Sequence, residues 1–204
     1  MSSRNTYGWR SSLSRRKYFK HCISIKKKNY IIIMTKLLYV PNPLLRQKAE
    51  KINIVGHEEL KIAKKMKEIM LKAPGVGLAA NQIGILKQIV TIFYVDKETK
   101  KEIEYNLFNP QIISYSEETI IMEEGCLSIP EQFAEIERPK IIKLQYLDDH
   151  NKLIEREVDG VEARILQHEI DHLSGKLFVD YLSYLKRNIM IKKVQKYLKI
   201  KNNA

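Results

Sequence analysis

An α+β fold, with antiparallel sheets around a central metal-binding HExxH helix and a second helix closing the chain, is what this 204-residue sequence predicts. Three observations carry the prediction. Strand-like apolar runs joined by short turns fill the middle of the chain, and consecutive strands with short connections pair antiparallel. One helical pattern, VEARILQHEIDHL, follows the strands. A last helical pattern, about 182–199, ends the chain.

Taken in order, the stretch 58–71, EELKIAKKMKEIML, spaces Leu60, Ala63, Met66, Ile69 and Met70 along one helical face, and Pro74-Gly75 stops it. GVGLAANQIG then reads as a loop rich in glycine and small residues. QIVTIFYV at 88–95 reads as a strand, as do stretches within 103–113 and 119–123 and KIIKLQYL at 140–147. DDHN at 148–151 is a turn, from which KLIEREV returns as a hairpin partner. Asp159 with Glu162 resembles a capping box opening the next helix, and Gly175 lies just past its end. The last helix carries Leu182, Leu185, Ile189, Val194 and Leu198 beside a basic face.

Composition narrows the class. Charged residues are 29% and hydrophobic ones 44%, which suits a globular chain with a core rather than a disordered one. The longest apolar candidate, residues 30–34, is far too short for a membrane helix, so no membrane partner is expected. The net charge of +12 is unevenly placed: residues 1–33 carry nine Lys or Arg and no acid, whereas residues 34–204 sum to only +3. The first segment has three readings. It is upstream translated sequence with the true start at Met34, or an organelle presequence, or a nucleic-acid-binding arm. The first is preferred, because MTKLLYVPNPLLRQKAE opens a domain cleanly. The presequence comes second and the arm last. The expected organisation is therefore a disordered extension over 1–33 and one catalytic domain over 34–204. Two cysteines, Cys22 and Cys126, exclude a disulfide framework and fit a reducing compartment.

The chemistry concentrates at LQHEIDHLSG, residues 166–175. Residues four apart on a helix lie on one face, so His168 and His172 can point at one ion, and Glu169 would stand beside that ion's water as general base. Ile165, Leu166, Ile170 and Leu173 would bury the helix. Asp171 is either an outer partner of an imidazole or a solvated charge, the latter preferred. Two histidines need a third ligand. HExxHxxGxxH is excluded, since position 178 is Phe, and the only acid after His172 is Asp180. Upstream stands EEGCLSIP, residues 123–130, whose Cys126 follows a Gly and precedes a Ser and a Pro that read as a turn. A lone cysteine is more often a small buried hydrophobe. Beside a two-histidine site without its third ligand, a thiolate that binds zinc or ferrous iron is the preferred reading.

Three separated stretches, GVGLAANQ at 75–82, EGCLS at 124–128 and QHEIDHLSG at 167–175, resemble the motifs of peptide deformylases in content, order and spacing. The resemblance covers essentially all of 34–204. It implies one divalent ion held by Cys126, His168 and His172, with Fe2+ expected and Zn2+ or Ni2+ able to substitute. It implies Glu169 as general base and then acid, and Gln82 and the backbone N–H of Leu127 as donors to a developing oxyanion. Gly75, Val76 and Gly77 would run beside the substrate. The substrates implied are N-formylmethionyl nascent peptides, deformylated with release of formate. Phe133 departs from the pattern, since many bacterial members have arginine there, and it bears on peptide docking. The basic last helix, with seven Lys or Arg and no acid over 186–201, would be a ribosome-docking face; DNA is not an expected partner. The compartment implied is the bacterial cytoplasm, with mitochondrion or plastid as the alternative. A metallopeptidase shares the helix but would need a downstream ligand that this sequence lacks.

Overall fold

The computed structural model describes residues 36–96 and 100–202. Residues 1–33 and the expected start at Met34 lie outside the described residues, and all of the described ones belong to one compact unit. Among them, no helix is long and apolar enough to cross a membrane.

The first helix, α1 (His57–Lys72), exceeds the expected one by a residue at each end. Its buried face is Ile62, Ala63, Met66 and Met70, whereas Leu60 is 37% exposed. The apolar stripe thus runs through Ile62, and Leu60 lies at its margin. The glycine-rich loop holds more order than expected: β1 (Gly77–Ala79) and a 3-10 turn over Ala80–Ile83 are both formed within it. Then come β2 (Ile89–Val95), β3 (Glu102–Tyr115), β4 (Thr119–Cys126), β5 (Ile129–Pro139), β6 (Ile142–Leu147) and β7 (Leu153–Val158). Strand β5 stands where only a turn at Ser128–Pro130 was expected. Its alternation of exposed Glu131, Phe133, Glu135 and Glu137 with buried Ile136 and Arg138 is that of a half-buried strand, but the buried arginine disguises it.

The strands form a five-stranded antiparallel sheet in the order β1-β2-β3-β6-β7 and a separate hairpin of β4 with β5. In β3 the register to β6 shifts after Phe108. There Asn109 adopts a positive φ of 53° and its side chain pairs with both backbone groups of Ile52, at 2.8 Å each.

Helix α2 (Gly160–Leu173) carries the histidines. Ala163, Ile165, Leu166 and Leu173 pack on Val90, Ile92, Leu107, Ile142 and Leu144 of the large sheet. The capping box expected at its start is not made: Asp159 is the N-cap residue, but its side chain makes no capping bond. The Glu162 carboxylate accepts from Tyr105 and, at 2.5 Å, from Arg156 instead, fastening the helix start to β3 and β7. A positive φ of 76° at Gly175, past the C-cap Ser174, lets the chain leave the helix as expected.

The last helix, α3 (Tyr184–Asn202), starts two residues later than expected and runs three further. Val194 is buried against β5 and the 3-10 turn Phe178–Tyr181, with Met190, Ile191 and Leu198 partly buried beside it. Leu185 and Ile189, expected on the packed face, are 69% and 45% exposed. The packed positions 187, 190, 191, 194 and 198 follow one continuous stripe at helical spacing, and Leu185 and Ile189 fall off it.

Candidate metal centre

The exit of β4 brings Cys126 to the histidine face of α2, through a register shift between Gly125 and Cys126 and a turn at Leu127-Ser128. Cys126 Sγ lies 3.2 Å from His172 Nε2. One ligand atom from each of the three residues lies within 4.8 Å of the others, the only such group among the described residues. A tetrahedral ion with bonds of about 2.3 Å to sulfur and 2.0–2.1 Å to nitrogen would hold S and N roughly 3.5 Å apart, so this donor set fits a single ion. Burial pushes the His172 pKa well below the usual imidazole value, which favours the neutral ligand form.

Glu124, which sequence reasoning missed, orients the first imidazole. His168 Nδ1 donates to its Oε2 at 2.9 Å, leaving Nε2 for the ligand side. The same carboxylate takes a two-pronged contact from Arg138, at 2.6 and 3.1 Å, and a third donor from Arg164 at 2.8 Å. Burial would raise the Glu124 pKa, but hydrogen bonds from His168 and Arg138 outweigh it and hold it at about 2. One anion thus joins β4, β5 and α2. Two signals in the sequence point here: Glu124 is two residues before Cys126 on a strand, hence on its face, and Arg164 is four before His168 on a helix. A buried arginine on the ligand face requires an acid nearby. Asp171 is not a solvated charge; it accepts from Arg138 at 2.7 Å and from the Tyr181 hydroxyl at 2.8 Å, extending the same network.

Glu169 is buried beside the ligands, and its Oε2 has no hydrogen-bond partner among the described residues. Desolvation pushes its carboxyl up to about 7. Gly77 is needed against it, since a Cβ there would sit 2.5 Å from Glu169 Oε1. Gly75 packs as tightly on Leu127, whose Cδ1 would be 2.5 Å from an added Cβ. Val76, between them, is 49% exposed, and its carbonyl accepts from the Phe93 N–H at 3.0 Å. Gln82 is buried, with its amide nitrogen 3.6 Å from Cys126 Sγ. The residues singled out in three distant stretches therefore line one region. Phe133 pairs with Gly125 across the hairpin and is 58% exposed.

Fold and donor set together define a class: an α+β protein in which an HExxH helix and a cysteine from a distant strand converge on one ion's worth of ligands. The polypeptide deformylase family model matches residues 34–188. Peptide deformylase of Pelagibacter ubique is 47% identical over 167 residues, covering 82% of this chain and 95% of that one. The crystal structure of peptide deformylase from Ehrlichia chaffeensis aligns with a TM-score of 0.77 at 36% identity, covering 81% and 97% of the two chains. A second structure from that organism, in complex with actinonin, has a TM-score of 0.75 at 38% identity and covers 79% and 96%. The chain belongs to the polypeptide deformylase family.

Proposed function

We propose that the protein removes the N-formyl group from the N-terminal formylmethionine of newly synthesised polypeptides, releasing formate. The observation that carries this reading is the convergence of Cys126, His168 and His172 beside the buried carboxyl of Glu169, whose Oε2 has no hydrogen-bond partner among the described residues.

A divalent ion bound by those three residues would supply Lewis acidity, lowering the pKa of water and polarising the formyl oxygen. Glu169, with its carboxyl at about 7, takes a proton from the attacking water as its oxygen bonds to the formyl carbon. Gln82 and the Leu127 N–H donate to the oxyanion that forms there. Glu169 then gives the proton to the departing amine as the C–N bond breaks, leaving formate and a free amino terminus. Gly75, Val76 and Gly77 bind the peptide alongside the site, and Phe133 adds an apolar contact at its rim.

The ion we assign is Fe2+, which a thiolate with two imidazoles suits, with Zn2+ or Ni2+ as working substitutes. Elemental analysis beside activity after anaerobic purification distinguishes them. The catalytic domain we assign begins at Met34, and the compartment is the bacterial cytoplasm; sequencing the mature amino terminus tests both. The exposed lysines of α3 support docking on the ribosome where nascent chains emerge. Binding to ribosomes that falls with salt and is lost on truncation after Asp180 is the expected result. The activity itself is tested by formate release from a formylmethionyl tripeptide. Cleavage of unformylated peptides without formate would instead indicate a metallopeptidase.

A further inference from the structure

Ser128 has no part in the chemistry above, yet it is fully buried two residues after Cys126. Its Oγ accepts a hydrogen bond of 3.2 Å from Gln82 Nε2. At the other end of the same amide, Oε1 accepts from the Ala79 N–H at 2.8 Å. A primary amide has one accepting end and one donating end, so a partner at each end selects one flip. Reversal would set the amide oxygen against Ser128 and the NH2 against the Ala79 N–H. Only the observed orientation turns Nε2 towards Cys126 Sγ, 3.6 Å away. One short segment also ties the two backbones together: the Leu38 N–H donates to the Gln82 carbonyl at 2.7 Å, and the Val40 N–H to the Ser128 carbonyl at 3.0 Å.

The geometry points to Ser128 as a positioning residue whose hydroxyl, with residues 38–40 as a strap, holds the Gln82 amide with its donor end facing the metal centre. The inference rests on the deformylase reading and deepens it. An oxyanion donor is effective when it is already aimed at the position where charge will develop, because no reorganisation is then needed during the reaction. Without an acceptor at Ser128, the NH2 end of Gln82 keeps only its long contact to Cys126 Sγ, at 3.6 Å, and the amide is free to turn away. Substrate binding in the ground state does not use this donor fully, so the loss falls on kcat rather than KM.

The test compares Ser128→Ala in the metal-loaded wild-type background and in a Gln82→Ala background, on a formylmethionyl tripeptide. Expected in the first is a fall in kcat of about tenfold or more, with KM and bound metal within twofold. In the second, Ser128→Ala produces no further fall. Ser128→Cys, near in size but a weaker acceptor, gives a kcat between wild type and Ser128→Ala, and it decides the matter if the alanine variant does not fold. An equal fall in both backgrounds, loss of metal from Ser128→Ala, or a wild-type kcat in both Ser128 variants overturns the proposal. A Gln82→Ala enzyme with full turnover would instead remove the oxyanion role of Gln82, and a wild type that releases no formate would remove the activity.

Discussion

Helices α2 and α3 follow one another in the chain and treat charge in opposite ways. Nine of the fourteen residues of α2 are buried, among them Arg164, Gln167, His168 and Glu169. Among the described side chains of α3, Val194 alone is buried, and its lysines stand in water. The buried guanidinium of α2 is matched: Arg164 meets Glu124 and two backbone carbonyls, of Ile136 and Ile120. A buried charge answered in this way is stable, and such a framework holds ligands in place, whereas Glu169 Oε2 is left without a partner for the chemistry. A helix whose charges are solvated needs no such matching and fixes nothing beyond its own packing. The contrast teaches that the catalytic end of this fold is rigid because it is polar inside, and that the C-terminal helix attaches through a thin apolar stripe.

The largest effects should come from breaking α2 at its reactive face. Glu169→Ala is expected to lower turnover by roughly 10²–10⁴-fold while the bound ion stays, measured as formate release beside metal analysis. Cys126→Ala should lose the ion and the activity together, and a chelator should reproduce that loss in the unaltered enzyme.

Next comes the frame behind the ligands. Glu124→Ala leaves Arg164 buried without an anion and Arg138 with Asp171 alone, and a loss of about 3–5 kcal/mol in denaturant melts is expected. Metal affinity should weaken by about 10–100-fold as His168 loses its orienting partner. A variant with unchanged stability and affinity would show the network to be incidental.

On α3 the same kind of truncation separates the stripe from the exposed face. Val194→Ala should cost about 2 kcal/mol. Leu185→Ala should change stability by less than about 0.5 kcal/mol, because that side chain is already in water.

A further small effect is a dependence on acid. Asp180 accepts two hydrogen bonds from Arg46 and has Arg187 of α3 at 3.5 Å. Burial acts to raise its pKa, but the Arg46 bonds and the Leu177 N–H outweigh it and hold it below the usual carboxylate value. Its stabilisation is therefore present above the unfolded pKa of about 3.9 and is lost as pH falls through the lower folded value. Arg46→Gln should flatten the stability profile in that acid range. The amplitude should be less than about 1 kcal/mol, since Arg46 is partly solvated. An unchanged slope would remove Asp180 from the account.

Much of the site could be read before any fold was known. The i, i+4 spacing of His168 and His172, with Glu169 between them, is a local property of a helix, and helical geometry alone puts both rings on one face. With Asp180 the only acid after His172, Cys126 is the remaining candidate for a third ligand, and the motif resemblance supplies Gln82 and Leu127. Glu124 was harder to see because its partners, Arg138 and Arg164, are 14 and 40 residues away. Strand β5 was hidden for the same reason, since its inward arginine makes no sense without the anion it meets.

The sequence by itself determined the helices, most strands, the ligand pair and its glutamate, because these depend on periodicities of a few residues and on the chemistry of single side chains. Tertiary structure alone decided that Asp171 binds Arg138 rather than water, that Glu162 anchors a helix instead of capping it, and that Leu185 and Ile189 stay outside. It also decided which end of the Gln82 amide faces the metal centre. Each of these depends on what a side chain meets across the fold, and a buried polar group takes whichever partner satisfies it there, regardless of distance along the chain.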